Sequence, residues 1–131
     1  MILTIRTDNP EAEVGLFDPV TFKEVAYKRW HAHRELESTL LSTLEAMLQD
    51  NGIQNNDLNG VIVYAGPGSF TGLRIGFTVA NTLSAGLGIG NVKSGGPDWV
   101  NNGISLLSTV KTPQILLPDY GGQANITKPK K

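Results

Sequence analysis

The residues most able to carry chemistry form a glycine-rich loop that follows an apolar run and precedes a helical pattern. The loop runs from Gly66 to Gly72 and reads GPGSFTG. Its backbone N–H groups can approach an anion at the start of a helix. It differs from a P-loop, because Leu73-Arg74 stands where a lysine and a serine or threonine are required. It also differs from a dinucleotide-binding fingerprint, because one residue too many separates Gly68 from Gly72.

Two interpretations of this loop remain open from the sequence. The glycines make a tight strand-to-helix turn, or they form a weak nucleotide or anion site. Ser69 is the only candidate nucleophile in the loop, and no spacing marks a base for it. We therefore predict no catalytic residue and no cofactor bound by the chain alone. The residues of the weak site would be Gly66, Gly68, Ser69, Thr71 and Gly72.

Metal-ligating residues are sparse in this sequence. It has no cysteine, which excludes disulfides, thiolate metal sites and a cysteine nucleophile. Its two histidines, His31 and His33, are two residues apart, so they share a face only in extended chain. Glu35 is the one acidic side chain obviously close to them. We predict no metal site.

The elements that must position the loop follow from the hydrophobic pattern. Three strands joined by short turns come first, and helices then alternate with strands. This order sets an antiparallel meander beside parallel strands reached by helical crossovers. It predicts an α/β domain with a mixed sheet of about five strands and packed helices, the architecture of one lobe of the ribonuclease-H-like, actin-like ATPase fold. The predicted strands are Met1 to Thr7, Glu13 to Phe17, Phe22 to Trp30, Gly60 to Ala65, Ile89 to Val92 and Gln114 to Leu117, and the helices Arg34 to Asn51, Leu73 to Leu87 and Asp98 to Leu107.

Small side chains recur at four-residue steps along the second predicted helix. Glycine inside a helix costs roughly 1 kcal/mol relative to alanine, so a ridge of small residues calls for a packing reason. Such a ridge permits close approach by another helix, either the first helix of the same chain or a helix of a partner. We predict a partner interface there, with the larger side chains Leu73, Phe77, Leu83 and Leu87 covering the sheet. The predicted interface residues are Gly72, Gly76, Ala80 and Ser84.

Length and composition predict one domain, residues 1–120, and a tail, residues 121–131. The tail carries Lys128, Lys130 and Lys131, which suit a solvated end or a weak phosphate contact. A formal net charge of −1 gives no electrostatic case for binding nucleic acid or an anionic membrane. The uncharged run from Ile75 to Val92 contains too many polar residues for a membrane span, and the start lacks a signal-peptide pattern. We expect a cytoplasmic protein.

The stretch from Ala65 to Gly76, AGPGSFTGLRIG, resembles the signature of the TsaB (YeaZ) family. Other segments extend the resemblance. Ile5 to Asp8 matches the family's first strand, His31 to His33 matches the stretch before its first helix, and Pro118 to Tyr120 matches a Pro-x-Tyr near the C-terminus. The resemblance covers most of the chain.

This resemblance implies a scaffold subunit of the machinery that makes threonylcarbamoyladenosine in tRNA. Family members pair with the catalytic subunit TsaD through their first two helices, and the ATPase TsaE joins them. A homodimer, an indirect contact with tRNA, and weak ATP or ADP binding within the complex are further expectations. The alternative is a stand-alone nucleotide-binding enzyme of the actin-like superfamily.

Two features depart from the family pattern. Family members have two lobes, whereas 131 residues suffice for one. Arg6 stands where the family's first strand carries an acid, which in the wider superfamily helps to hold a metal ion near the nucleotide phosphates. A cation there opposes metal binding and argues against independent ATP hydrolysis.

Overall fold

A five-stranded mixed sheet forms the centre of the part of the chain that this computed structural model describes, residues 1–120. The predicted tail, residues 121–131, lies outside the described residues. The strands are β1 (Ile2–Arg6), β2 (Glu11–Phe17), β3 (Glu24–His31), β4 (Gly60–Tyr64) and β5 (Gly90–Ser94). The helices are α1 (Leu36–Asp50), α2 (Phe70–Leu87) and α3 (Trp99–Leu107), with short 3-10 turns at His33–Glu35 and Asn55–Asp57.

The sheet has the order β3-β2-β1-β4-β5. β1 pairs antiparallel with β2 and parallel with β4, and Ile2 lies opposite both Phe17 and Gly60. β3 extends the antiparallel side and β5 the parallel side. The predicted fold class, an antiparallel meander beside parallel strands with β4 inside the sheet, is confirmed.

Helices cover the sheet on both faces. α1 and α2 pack on the face that carries Leu3 and Val61, and α3 packs on the face that carries Ile62. All five residues of β4 are buried, as its continuous apolar run predicts for a strand covered on both sides. No helix within residues 1–120 has the length and apolar character needed to cross a membrane.

The segment predicted as a last strand, Gln114 to Leu117, is not a strand. Its backbone is held by side chains and not by a β-ladder. The side-chain amide of Asn91 accepts from the backbone N–H of Gln114 at 2.8 Å and donates to its C=O at 2.9 Å. The side-chain amide of Asn81 does the same for Leu116, accepting from its N–H at 3.1 Å and donating to its C=O at 3.0 Å. We call residues 113–119 the strap.

Candidate functional site

The glycine loop between β4 and α2 packs tightly against the end of β1. The N–H of Ser69 donates to the carbonyl of Asp8 at 2.8 Å, and the hydroxyl of Thr7 donates to the carbonyl of Gly72 at 2.7 Å. A Cβ atom at Gly68 would lie 2.5 Å from the carbonyl oxygen of Asp8, and one at Gly72 would lie 2.3 Å from that of Thr7. The glycines are therefore required by the close approach of two backbones, which is the tight-turn interpretation.

The Ser69 hydroxyl caps helix α2. It accepts a hydrogen bond from the N–H of Gly72 at 3.2 Å, so α2 begins at Phe70, three residues before the predicted start at Leu73. Thr71 is exposed at the first turn of the helix. The weak nucleotide or anion site at this loop stays a prediction, and the serine has a structural role that does not depend on it.

The strap closes the other side of the loop. Gly66 has a φ of +109°, and a Cβ atom there would lie 2.3 Å from the carbonyl oxygen of Asp119. The ring of Tyr120 packs against that of Phe70, with 4.5 Å between centroids. Lys93 fixes the strap here, because its ammonium group lies 2.9 Å from the Asp119 carboxylate.

Arg6 and Asp8 form an ion pair at the carboxyl end of β1. Nε of Arg6 donates to Oδ1 of Asp8 at 2.8 Å and Nη2 donates to Oδ2 at 3.2 Å. The guanidinium also lies 3.9 Å from the centroid of the Tyr64 ring. The hydrogen bond with Asp8 raises the pKa of Arg6 above its usual value. Because a fixed cation already neutralises Asp8, these residues do not fit the metal-held nucleotide of the actin-like superfamily.

The two histidines lie at the surface beside Glu11. The rings of His31 and His33 stack with 5.7 Å between centroids, and Nδ1 of His31 lies 3.0 Å from the Glu11 carboxylate. Nowhere in residues 1–120 do three histidine, aspartate or glutamate side chains come together in a group that could hold a metal ion.

The ridge of small residues on α2 faces the chain's own sheet, so the prediction that it packs on another chain is wrong. Gly76 is buried, and Ala80 and Ser84 are fully buried. A Cβ atom at Gly76 would lie 2.2 Å from Oγ1 of Thr7, so what the ridge meets here is the end of β1 and not the first helix. The small side chains allow α2 to lie close to the sheet. The residues wrongly predicted to form the partner interface are Gly72, Gly76, Ala80 and Ser84.

The surface that α1 and α2 leave open is a different one. A groove of about 450 Å³ runs between the two helices, and we call it the α1–α2 groove. Leu41 of α1 is 48% exposed there, and Ile75 and Val79 of α2 are half-buried. The sequence analysis does not identify the apolar pair Ile75 and Val79 as a surface, although these residues are four apart and so share one face of α2. The groove is lined by Glu37, Leu41, Thr71, Arg74, Ile75, Thr78 and Val79.

Comparison with known proteins gives a consistent set of relatives. A family model described as TsaD, tRNA N6-adenosine threonylcarbamoyltransferase, matches residues 30–93. The tRNA threonylcarbamoyladenosine biosynthesis protein TsaB of Bacillus subtilis (strain 168) is 35% identical over 91 residues, which are 67% of this chain and 38% of that protein. The protein of the same name from Buchnera aphidicola subsp. Baizongia pistaciae (strain Bp) is 38% identical over 55 residues, 42% of this chain and 25% of that protein.

The fold recurs in a solved structure. YeaZ from Pseudomonas aeruginosa superposes with a TM-score of 0.66 at 21% identity, over 72% of this chain and 43% of that one. The likeness confirms the ribonuclease-H-like, actin-like fold. The chain spans less than two fifths of the length of the two curated relatives it matches.

Proposed function

This chain belongs to the TsaB (YeaZ) family, and from that premise we propose that it is a non-catalytic subunit of the tRNA threonylcarbamoyladenosine machinery. The names of its relatives support a part in that pathway. In this proposal the chain binds a TsaD-type catalytic subunit, a TsaE-type ATPase joins them, and contact with tRNA is indirect. The α1–α2 groove is the observation that carries the proposal.

The groove has the composition of a helix-docking surface. Both walls carry apolar side chains, Leu41 on the α1 wall and Ile75 and Val79 on the α2 wall. Glu37 and Arg74, of opposite charge, also line it. An amphipathic helix can bury apolar side chains in such a groove and pair its polar edge with the charged rim. The groove therefore suits a partner that presents helices.

Catalysis by this chain alone has less support. Ser69 is engaged as a helix cap, and Arg6 neutralises the Asp8 carboxylate beside the glycine loop. Neither arrangement offers a nucleophile with an adjacent base. These contacts favour the accessory role over a stand-alone nucleotide-dependent enzyme.

Leu41→Asp should weaken binding of the cognate TsaD-type subunit by about tenfold or more, because it buries an unpaired carboxylate in an apolar contact. Pull-down with the purified subunit, followed by calorimetric titration, measures the loss. Leu106→Asp is the matched control, since Leu106 is also 48% exposed but lies on α3. Equal binding by the two variants, whether strong or weak, would show that the partner does not use the groove.

The isolated protein should show no metal-dependent ATP hydrolysis above background. The physical reason is the cation at Arg6, which stands where an acid would be needed to hold the metal. Phosphate release with ATP and Mg²⁺ is the measurement. A clear turnover that disappears in Thr71→Ala would contradict the accessory assignment, because Thr71 belongs to the predicted nucleotide site and is exposed.

A further inference from the structure

The strap is bound to the rest of the chain mainly through its backbone. Asn91 bonds both the N–H and the C=O of Gln114, and Asn81 bonds both of these groups in Leu116. Gln114 and Leu116 are two residues apart, so the two asparagines bind alternate residues of an extended segment. Bonds to the N–H and C=O of a residue do not depend on its side chain. The two amides therefore recognise an extended backbone and not a particular sequence.

Two further backbone contacts continue this row toward the end of the strap. Lys93 donates to the C=O of Leu117 at 2.8 Å, and the N–H of Asp119 donates to the C=O of Ala65 at 2.8 Å. The Lys93 ammonium also lies 2.9 Å from the Asp119 carboxylate. We call the surface that makes these contacts the strap slot, and it consists of Ala65, Asn81, Asn91 and Lys93.

The side chains of the strap contribute little to its binding. Ile115 and Leu117 are 86% and 70% exposed, and Leu116 is only half-buried against the core. Burial of apolar surface therefore stabilises this contact only weakly. Asn91, in contrast, is fully buried, and its amide needs hydrogen-bond partners. Any extended segment that offers backbone N–H and C=O groups at this place supplies the same partners.

We propose that the strap slot is a docking site for an extended segment of a partner protein, and that the strap occupies it as an intramolecular competitor. The strap itself defines the chemistry of that segment. It has an apolar residue in the place of Leu116 and an acidic residue three positions later, where Asp119 meets Lys93. Main-chain hydrogen bonds supply affinity in this kind of recognition, and a few side chains supply specificity. The inference goes beyond the proposed function, because the slot and the α1–α2 groove share no residue.

The covalent link between the strap and its slot sets the conditions for such docking. A segment tethered by a short linker competes at an effective concentration in the millimolar range. A partner segment therefore binds tightly only after the strap has been released. A change in the strap that releases it should raise the affinity for a partner segment. Loss of the Asn91 amide also releases the strap, but it damages the slot and should lower that affinity.

A fluorescein-labelled peptide with the sequence of residues 112–120 serves as the probe. In the full chain, Leu116→Pro removes the N–H that donates to Asn81 and should release the strap while the slot stays intact. This variant should bind the peptide about tenfold or more tightly than the wild-type chain, measured by fluorescence anisotropy. The same substitution prevents the strap of a second copy from filling the slot. Ile115→Ala is the matched control and should bind the peptide like the wild-type chain, because the Ile115 side chain is exposed.

Two further variants test whether the peptide occupies the slot. Adding Asn91→Ala to Leu116→Pro should remove most of the gain in affinity, because Asn91 bonds the backbone of the bound segment. A peptide that carries Leu116→Pro makes the same test without altering the protein, and it should bind neither chain. Equal peptide binding by Leu116→Pro and Ile115→Ala would overturn the inference. So would binding that survives both Asn91→Ala in the protein and Leu116→Pro in the peptide.

Thermal melting verifies that each variant is folded. If Leu116→Pro does not fold, the wild-type chain provides the test. In the ¹⁵N-labelled wild-type chain, a millimolar concentration of unlabelled peptide should displace the strap and speed hydrogen exchange at the amide of Leu116. An exchange rate that the peptide leaves unchanged would overturn the inference.

Discussion

Ala80→Leu is expected to unfold or severely destabilise the monomer, by about 3 kcal/mol or more. Ala80 has no exposed surface, and it lies in the row of small residues that lets α2 sit against the sheet. Three additional heavy atoms would have to push α2 outward. The displacement would also disturb Leu73 and Phe77, which are buried on the same helix.

Thermal melting followed by circular dichroism measures this loss. Ala85→Leu is the matched control, because Ala85 is on the same helix but exposed, and its melting temperature should change little. If Ala80→Leu melts like the wild-type chain while Ala85→Leu does not, α2 is rotated relative to the arrangement described above. The α1–α2 groove would then also be misplaced.

The ridge of small residues on α2 was predicted correctly as a feature of the helix, but its packing partner was not. Four-residue spacing correctly identified a continuous row of small side chains on α2. The same spacing does not state which neighbour the row faces, because rows of small and of large residues can both point at a sheet. Here Gly76 and Phe77 are consecutive, and both are buried. Helix and sheet approach so closely that the sheet side of α2 holds both rows.

Most of the fold was accessible from local patterns. The apolar run of β4 predicted a strand buried on both faces, and the order of elements predicted the mixed sheet. These properties depend on periodicity within short segments. The element boundaries shifted by a few residues where caps decide them, as Ser69 does for α2.

The interactions around the glycine loop were not accessible, because they join residues far apart in the sequence. The sequence predicts that Arg6 opposes a metal ion, but the contact of its guanidinium with the Tyr64 ring depends on how β1 and β4 align. The apolar residues from Gln114 to Leu117 predict a strand within the strap. In the folded chain, the side chains of Asn81 and Asn91 form hydrogen bonds with the backbone of this segment, and no local sequence pattern predicts such bonds.

Asn91→Ala is expected to destabilise the chain by about 2–4 kcal/mol, because it removes several buried hydrogen bonds at once. The side chain of Asn91 is fully buried and contacts the backbone of Gln114 through both its oxygen and its nitrogen. It also donates to the side-chain oxygen of Asn81 at 3.2 Å. Loss of the amide leaves the N–H and C=O of Gln114 without these partners.

Hydrogen exchange separates local release of the strap from general unfolding. In Asn91→Ala, the amides of Gln114 and Leu116 should lose protection first, and the melting temperature should fall by roughly 10 °C. Asn101→Ala is the control, since that asparagine is exposed on α3. Unchanged protection at Gln114 in the variant would mean that the strap is fastened elsewhere, by Asn81 at Leu116 or by Lys93 at Leu117 and Asp119. Lys93→Met then tests the second of these contacts, because that substitution removes the ammonium group that bonds both the carbonyl of Leu117 and the Asp119 carboxylate.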